Sequence, residues 1–402
     1  MTRHAVILAA RSGSSESSRR RVAGVPLVKR AIIVLSRAGL AEIVVIAEAA
    51  LGAELAADPE LGALTSTIVH VVGELAAARP HVEGPFVLAR ADSVFDVGLA
   101  KTAAAAPLGE AELVACGVLH VAHPTVLDGR SLDAATSIDI GEGLSHDAST
   151  PEACKRAEDA LFKSLGKRTD GPVSRLINRP ISTFVTRRLV GTRVTPNQMT
   201  VVANVIGALG VVLVFQGTWA TLALGALLVQ LQSILDGCDG EIARLKFKSS
   251  KIGEWLDNVL DDQVNVGYGI ALGFAATALT GQGWWTWVGL GAGAAFMIHN
   301  LVFYAELAFV HRSGNPFNFR WWFEKPGVDV TAMLAAPTLI TRIGSSLRSL
   351  VRRDVFLFAF LGLAVAGLPQ IAATWYAAIA ASQFVLIVLH VANGGAPKPV
   401  TS

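Results

Sequence analysis

The chain has 402 residues, 34 Lys+Arg against 32 Asp+Glu for a net charge of +2, 52% hydrophobic residues and only 16% charged ones. With a mean hydropathy of +0.49, this composition excludes an ordinary soluble enzyme, a disordered chain or a coiled coil, and points to a membrane-embedded part. The balanced charge argues against nucleic acid as a partner, because binding a phosphate backbone needs a concentrated basic face. Cys116, Cys154 and Cys238 lie far apart and odd in number, so neither a disulfide framework nor a zinc cluster is expected, and a reducing compartment fits best. The opening MTRHAVILAA has no long apolar core, and no secretory signal is expected.

In chain order, the first elements are strands. His4–Ala10 is a short apolar run suited to a buried parallel strand, followed by a Ser/Gly-rich loop and the helix-like PLVKRAIIVLSRAG. EIVVIAE, STIVHVV and PFVLARAD are further strand candidates with helical stretches between them. That alternation predicts a doubly wound α/β domain over residues 1–165, with any ligand at the carboxyl ends of the strands. A linker over 166–194 follows. Within it, RLINRPISTFVTRRLVGT puts Ile181, Phe184, Val185 and Leu189 on one helical stripe beside arginines, predicting a helix that lies in the headgroup plane. A plain linker helix packed on protein is the competing reading.

Charge then disappears in three long gaps, Pro196 to Leu235, Gln263 to Ala305 and Val355 to Pro397. Each gap can hold two spans of roughly 20 residues. The sequence therefore predicts an all-α membrane domain over 195–395, ahead of a short tail over 396–402. Its six transmembrane helices are expected near 197–216, 219–236, 255–277, 284–309, 354–368 and 371–392. The turns inside the gaps are uncharged. The segments between gaps carry Arg244, Lys246, Lys248 and Lys251, then Arg312, Arg320, Lys325, Arg342, Arg348, Arg352 and Arg353. By the positive-inside rule those loops and both termini are expected in the cytoplasm. Trp284, Trp285 and Trp287 fall where an interfacial aromatic belt belongs.

Asp236, Asp239, Asp257 and Asp261 stand at or inside the membrane boundary, where an ionised carboxylate is costly unless paired or bound to metal. Spacings of i, i+3 and i, i+4 put each pair on one helical face, so neighbouring helices would converge all four. Hard oxygen ligands in that number suit Mg²⁺, Mn²⁺ or Ca²⁺ rather than zinc. Gly240, Ala243 and Gly253 leave room for a ligand, and Arg244 can clamp a phosphate. A transporter ion site is the non-enzymatic alternative, but it has no need of those four residues at these spacings.

Asp236-x2-Asp239-Gly240-x2-Ala243-Arg244-x8-Gly253-x3-Asp257-x3-Asp261 resembles, with every spacing intact, the signature of the CDP-alcohol phosphotransferases (CDP-alcohol phosphatidyltransferases). The resemblance covers about residues 195–395, including the Thr195-Pro196-Asn197 start of the first span. It implies transfer of a phosphoalcohol from a CDP-alcohol donor to an alcohol or polyol-phosphate acceptor hydroxyl, with release of CMP. It further implies Mg²⁺ or Mn²⁺ as a pair of ions on Asp236, Asp239 and Asp257, with Asp261 at the metals as general base. Asn197, Gly240, Ala243, Arg244 and Gly253 become nucleotide contacts, and the protein a homodimer of the cell membrane with a cytoplasmic active site.

The N-terminal half resembles the nucleotidyltransferases of the sugar-phosphate and inositol-phosphate type. Their Ala-Ala-Gly-x-Gly-Ser/Thr-Arg loop corresponds to Ala9-Ala10-Arg11-Ser12-Gly13-Ser14-Ser15, and Gly24-Val25-Pro26-Leu27 matches their Gly-x-Pro-Leu element. Asp92 and Asp147 correspond to their metal-binding aspartates. The loop lacks the first glycine and the final arginine, and only 54 residues separate Asp92 from Asp147, so a degenerate scaffold or regulatory domain is expected, with a working cytidylyltransferase in a bifunctional enzyme as the alternative. The fusion as a whole resembles the bifunctional inositol-1-phosphate cytidylyltransferase/di-myo-inositol-phosphate-phosphate synthases, which favours a polyol donor such as CDP-inositol over CDP-diacylglycerol, the substrate of a phospholipid synthase. Arg179, Arg187, Arg188 and Arg193 are candidate acceptor-phosphate ligands, and His299 a candidate for the acceptor pocket.

Overall fold

The computed structural model describes every residue except 1, 10–15, 109–112, 129–135, 138–142, 167–169, 324–349 and 396–402. Most of the Ala9–Ser15 loop, together with Thr169, Lys325, Arg342 and Arg348, lies outside the described residues. The chain forms two compact units, Met1–Leu165 with Leu245–Phe247, and Gly166–Arg244 with Lys248–Ser402.

The strands of the first unit are β1 (His4–Leu8), β2 (Arg21–Val22), β3 (Val25–Pro26), β4 (Glu42–Ile46), β5 (Ile68–Val72), β6 (Phe86–Arg90), β7 (Ser93–Phe95), β8 (Leu113–Cys116), β9 (Leu119–Ala122), β10 (Thr136–Ser137) and β11 (Ser145–Asp147). Its helices are α1 (Glu16–Arg19), α2 (Leu27–Arg37), α3 (Ala49–Ala56), α4 (Pro59–Gly62), α5 (Val97–Ala105) and α6 (Pro151–Lys163). The main sheet runs β10-β8-β9-β6-β1-β4-β5, with β6, β1, β4 and β5 parallel and β9 antiparallel to β6 and β8. Ala5, Val6 and Ile7 of β1 are all fully buried, because a central parallel strand is covered on both faces.

The covering differs from the expected double winding. Ile7, Val45 and Val87 face α2, α3 and α5, whereas Val6, Val44 and Leu88 face two 3₁₀ turns, Ala76–His81 and Pro124–Asp128. Among the described residues the second face thus carries turns in place of α-helices, and the sheet is mixed. Cys116, Cys154 and Cys238 are free and buried.

The second unit comprises α7 (Arg179–Leu189), α8 (Pro196–Phe215), α9 (Trp219–Lys246), α10 (Lys251–Thr280), α11 (Trp284–Phe309), α12 (Arg353–Val365) and α13 (Pro369–Ala392). α8, α9, α11 and α13 are long and apolar enough to cross a membrane. Val202, Val205, Leu209 and Val212 of α8 are about half exposed, as a lipid-facing stripe would be. The remaining two expected spans, α10 and α12, are not among these four. α12 has 13 residues, about 20 Å of helix. α10 carries Asp257, Asp261, Asp262, Gln263 and Asn265 in its first half.

α10 is the central helix, packed on α8, α11 and α13. Tyr268, Phe360 and Tyr376 fill the core of this unit. Where α10 meets α11, a Cβ on Gly273 would stand 2.7 Å from the Gly289 Cα, so two glycines permit the backbones to touch.

Candidate functional site

Local sequence fixes where the acidic residues sit. Thr195 caps α8 with a complete capping box through Gln198, and Pro196 occupies the first turn, which sets Asn197 and Thr200 at the start of the helix. α9 runs on past the expected end of its span to Lys246. Phe247, at a φ of 60°, then breaks the chain, and the Lys248 amide closes back on the Ala243 carbonyl at 2.9 Å. Ser250 caps α10 by accepting from the Gly253 amide at 3.0 Å.

The signature aspartates come together across α9 and α10. Asp236, Asp257 and Asp261 each offer a carboxylate oxygen within 4.8 Å of the others. Asp239 is buried and accepts a short hydrogen bond from the Thr200 hydroxyl. Gln232 Nε2 donates to Asp261 Oδ1 at 2.7 Å, and Arg353 pairs with the other Asp261 oxygen. The same Arg353 Nη1 stands 3.8 Å from Asp236, while its Nη2 donates to Gln232 Oε1 at 2.9 Å. Neighbouring Asp262 is not part of this set, since the Tyr304 hydroxyl holds it.

The donor set fits a divalent cation. The oxygens are hard and converge, and Asp257 Oδ1 is buried without a hydrogen-bond partner, an arrangement that is costly unless a cation is bound there. Two cavities flank the acids. One, of about 230 Å³, is lined by Asn197, Thr200, Asp239, Gly240, Ala243, Arg244, Gly253 and Asp257. The other, of about 280 Å³, is lined by Asp170, Arg179, Asp236, Gly237, Arg352 and Arg353, among others. Every residue expected to contact nucleotide thus borders the first cavity. A Cβ on Gly253 would meet Asn197 Oδ1 at 2.8 Å and Ser250 Oγ at 2.9 Å, so glycine keeps that wall open.

Two functional neighbours escaped the sequence reading. The sequence marks Arg353 only as a topology charge, and its one further signal is its place beside the charge-free gap that starts at Val355. Glu241 is fully buried and accepts from Arg179 Nη1 at 3.1 Å, Ser182 Oγ at 2.7 Å and Thr186 Oγ1 at 2.7 Å. Its signal was that of the aspartates, an acid on a membrane helix that needs a partner.

Glu241 thereby docks α7 on α9, and Arg179 is occupied further by Asp170, at 3.0 Å to each carboxylate oxygen. The buried face of α7 is made of hydroxyls, Ser182 and Thr186, while Ile181 and Phe184 point outward. The predicted apolar stripe therefore splits, with Val185 and Leu189 packing toward Met199 and Ile242. Arg188 stacks on the Phe184 ring at 3.5 Å. His299, the acceptor-pocket candidate, lines neither cavity; its ring hydrogen-bonds the Gln383 carbonyl at 3.2 Å in an aromatic layer with Phe303 and Trp321.

In the first unit, Asp92 and Asp147 do come together, but an arginine joins them. Arg90 Nε donates to Asp92 Oδ1 at 2.8 Å and Arg90 Nη2 to Asp147 Oδ1 at 2.9 Å. A cavity of about 210 Å³ opens beside them at the carboxyl ends of β1 and β6, with Ala9, Ser18, Arg90, Asp92 and His120 in its wall.

Comparison with known proteins gives a consistent result. Residues 193–343 match the sequence model of the CDP-alcohol phosphatidyltransferase family. A bifunctional IPC transferase and DIPP synthase of Thermococcus kodakarensis is 42% identical over 159 residues, which is 39% of this chain and 35% of that protein. Proteins of the same name from Aquifex aeolicus (39% over 127 residues; 31% of this chain, 28% of the relative) and Archaeoglobus fulgidus (44% over 116 residues; 29% and 23%) are also similar. The match thus spans about a third or less of the length of these relatives.

Proposed function

We propose that the protein is a membrane CDP-alcohol phosphotransferase that moves a phosphoalcohol, of the polyol class such as inositol phosphate, from a CDP-alcohol to an acceptor hydroxyl. The observation that carries this reading is the convergence of Asp236, Asp257 and Asp261 within 4.8 Å, between two cavities, one of them bordered by Asn197, Gly240, Ala243, Arg244 and Gly253. The similarity to bifunctional IPC transferases and DIPP synthases favours a polyol donor.

In this reading Asp236, Asp239, Asp257 and Asp261 hold a pair of Mg²⁺ or Mn²⁺ ions. Those cations, when bound, offset charge on the pyrophosphate and on the leaving CMP. Arg244 and Asn197 hold the nucleotide in the cavity that Gly253 keeps open. Asp261 takes the proton of the acceptor hydroxyl as its oxygen attacks the phosphorus that bears the alcohol. A new phosphate ester bond forms, the pyrophosphate P–O bond breaks, and CMP leaves with the electron pair. The fold reading that accompanies this is six spans, with α10 and α12 joining the four long apolar helices, in a homodimer of the cell membrane. The basic loops set the N-terminal unit, the acids and the C-terminus on the cytoplasmic side.

The test follows CMP release by purified protein in detergent with Mg²⁺ and CDP-inositol, CDP-glycerol or CDP-diacylglycerol, each with and without inositol phosphate. Release from CDP-inositol is expected. No release from any donor would overturn the transferase reading, and release from CDP-diacylglycerol alone would make the enzyme a phospholipid synthase. Asp261→Asn should abolish release while Mn²⁺ and CDP still bind; retained turnover would remove Asp261 from its role.

A further inference from the structure

The nucleotidyltransferase-like unit carries its own pair of acids, and their surroundings differ in kind from those of the membrane set. Arg90 ends β6, the strand next to β1, and the chain then turns through Ala91 to Asp92. Its guanidinium engages Asp92 Oδ1 at 2.8 Å and Asp147 Oδ1 at 2.9 Å. The second Asp147 oxygen is taken by Ser149, whose hydroxyl donates at 2.6 Å and whose amide donates at 3.3 Å. Three of the four carboxylate oxygens therefore already accept from the protein. A divalent cation on this pair would need those same lone pairs and would lie against a guanidinium that does not lose its proton. The hydrogen bond from Arg90 to Asp92 holds the arginine above its ordinary pKa, which reinforces the point.

The membrane acids provide the contrast. There Arg353 reaches Asp261 and comes near Asp236, but Asp257 keeps a buried oxygen without a partner, whereas at Asp92 and Asp147 the single guanidinium of Arg90, two residues before Asp92, closes the pair. The residues of the N-terminal pair do not fit a resident metal.

We propose that Arg90 takes the place of a divalent cation between Asp92 and Asp147, so that this unit performs no nucleotidyl transfer and the CDP-linked donor is made by a different catalytic unit. The supplying reaction is a CTP-dependent nucleotidyl transfer. An oxygen of an alcohol phosphate bonds to the α-phosphorus of CTP, the bond from that phosphorus to the bridging oxygen breaks, and pyrophosphate leaves. This last step of the inference rests on the transferase reading of the membrane half, whereas the metal-free character of the Asp92 and Asp147 pair stands independently of it.

Mn²⁺ binding to the full chain in detergent, counted by electron paramagnetic resonance, separates the two. Parent protein and Asp92→Asn are expected to bind the same number of Mn²⁺ ions, and Arg90→Met one more per chain, lost again in Arg90→Met/Asp92→Asn. A lower count in Asp92→Asn than in the parent would overturn the proposal, as would an unchanged count in folded Arg90→Met. In parallel, the parent with CTP, Mg²⁺ and a panel of polyol phosphates should yield no pyrophosphate, and CTP-dependent pyrophosphate release would equally overturn it. Failure of every CDP-alcohol to yield CMP would instead sink the membrane reading and leave the Mn²⁺ counts at Arg90 in force.

Discussion

Arg353 and Asp261 form an ion pair at the centre of the membrane acids, and the same guanidinium is braced at 2.9 Å by Gln232, which itself donates to Asp261 at 2.7 Å. A positive charge so placed competes with any cation for Asp261 and Asp236. Arg353→Gln is therefore expected to tighten Mn²⁺ binding by about tenfold, or ~1.4 kcal/mol. Titration monitored by electron paramagnetic resonance reads this directly, and unchanged or weaker binding would show that Arg353 does not compete with the ion.

Gly253→Ala tests the nucleotide cavity. The added methyl would meet Asn197 Oδ1 at 2.8 Å and Ser250 Oγ at 2.9 Å. Displacing them costs about 1–3 kcal/mol of overpacking, felt where CDP is expected. CDP affinity measured by calorimetry should fall by at least about tenfold, roughly 1.4 kcal/mol. Unaltered CDP affinity would place the nucleotide elsewhere.

Glu241→Ala should be the most destabilising of these substitutions. It removes a fully buried acceptor and leaves Arg179, Ser182 and Thr186 without it. Breaking a buried charge network in this way costs about 3–5 kcal/mol. Thermal unfolding in detergent should fall accordingly, and limited proteolysis should cut near α7; an unchanged melting curve would mean that α7 is not held by Glu241.

A pH dependence follows in the N-terminal unit. Lys29 donates to Asp58 at 2.6 and 2.9 Å and pairs with Glu60 at 2.7 Å. Burial raises the Asp58 carboxyl, but Lys29 and the amides of Glu60 and Leu61 outweigh it and hold the group below the usual aspartate range. Burial likewise lowers Lys29, and its two acidic partners more than reverse that. Asp58 thus stabilises the fold above its unfolded value of about 3.9 and loses this as pH falls through its folded value; Lys29 stabilises below about 10.4 and loses this as pH rises through its own. The stability gap between parent and Lys29→Met should be widest near neutrality and close toward both extremes. A gap that stays constant from pH 3 to pH 8 would exclude the linkage.

Much of this was legible in the sequence because the signals were periodic or forbidden. β1, β4, β5 and β6 fall on the four predicted strand runs, and the signature aspartates stood out because carboxylates at a membrane boundary require an explanation. What stayed hidden depends on long-range partners. Nothing near Arg90 in the sequence says that its guanidinium will close on Asp147, and nothing near Glu241 says that Ser182 and Thr186 will satisfy it. The length of α9 is hidden for a related reason: an apolar span ends at the first acid, Asp236, whereas the helix runs on to Lys246. The second face of the sheet was also unreadable, since 3₁₀ turns such as Pro124–Asp128 have no amphipathic period to announce them.

α7 turns its hydroxyls inward and its Ile181 and Phe184 outward, the reverse of what water would select. Stripping the lipid annulus during purification would leave that oily strip bare beside α9, the helix that carries Asp236 and Asp239, inviting particles to clump there. Nanodiscs or a mild maltoside should therefore preserve a monodisperse sample better than harsh short-chain surfactants.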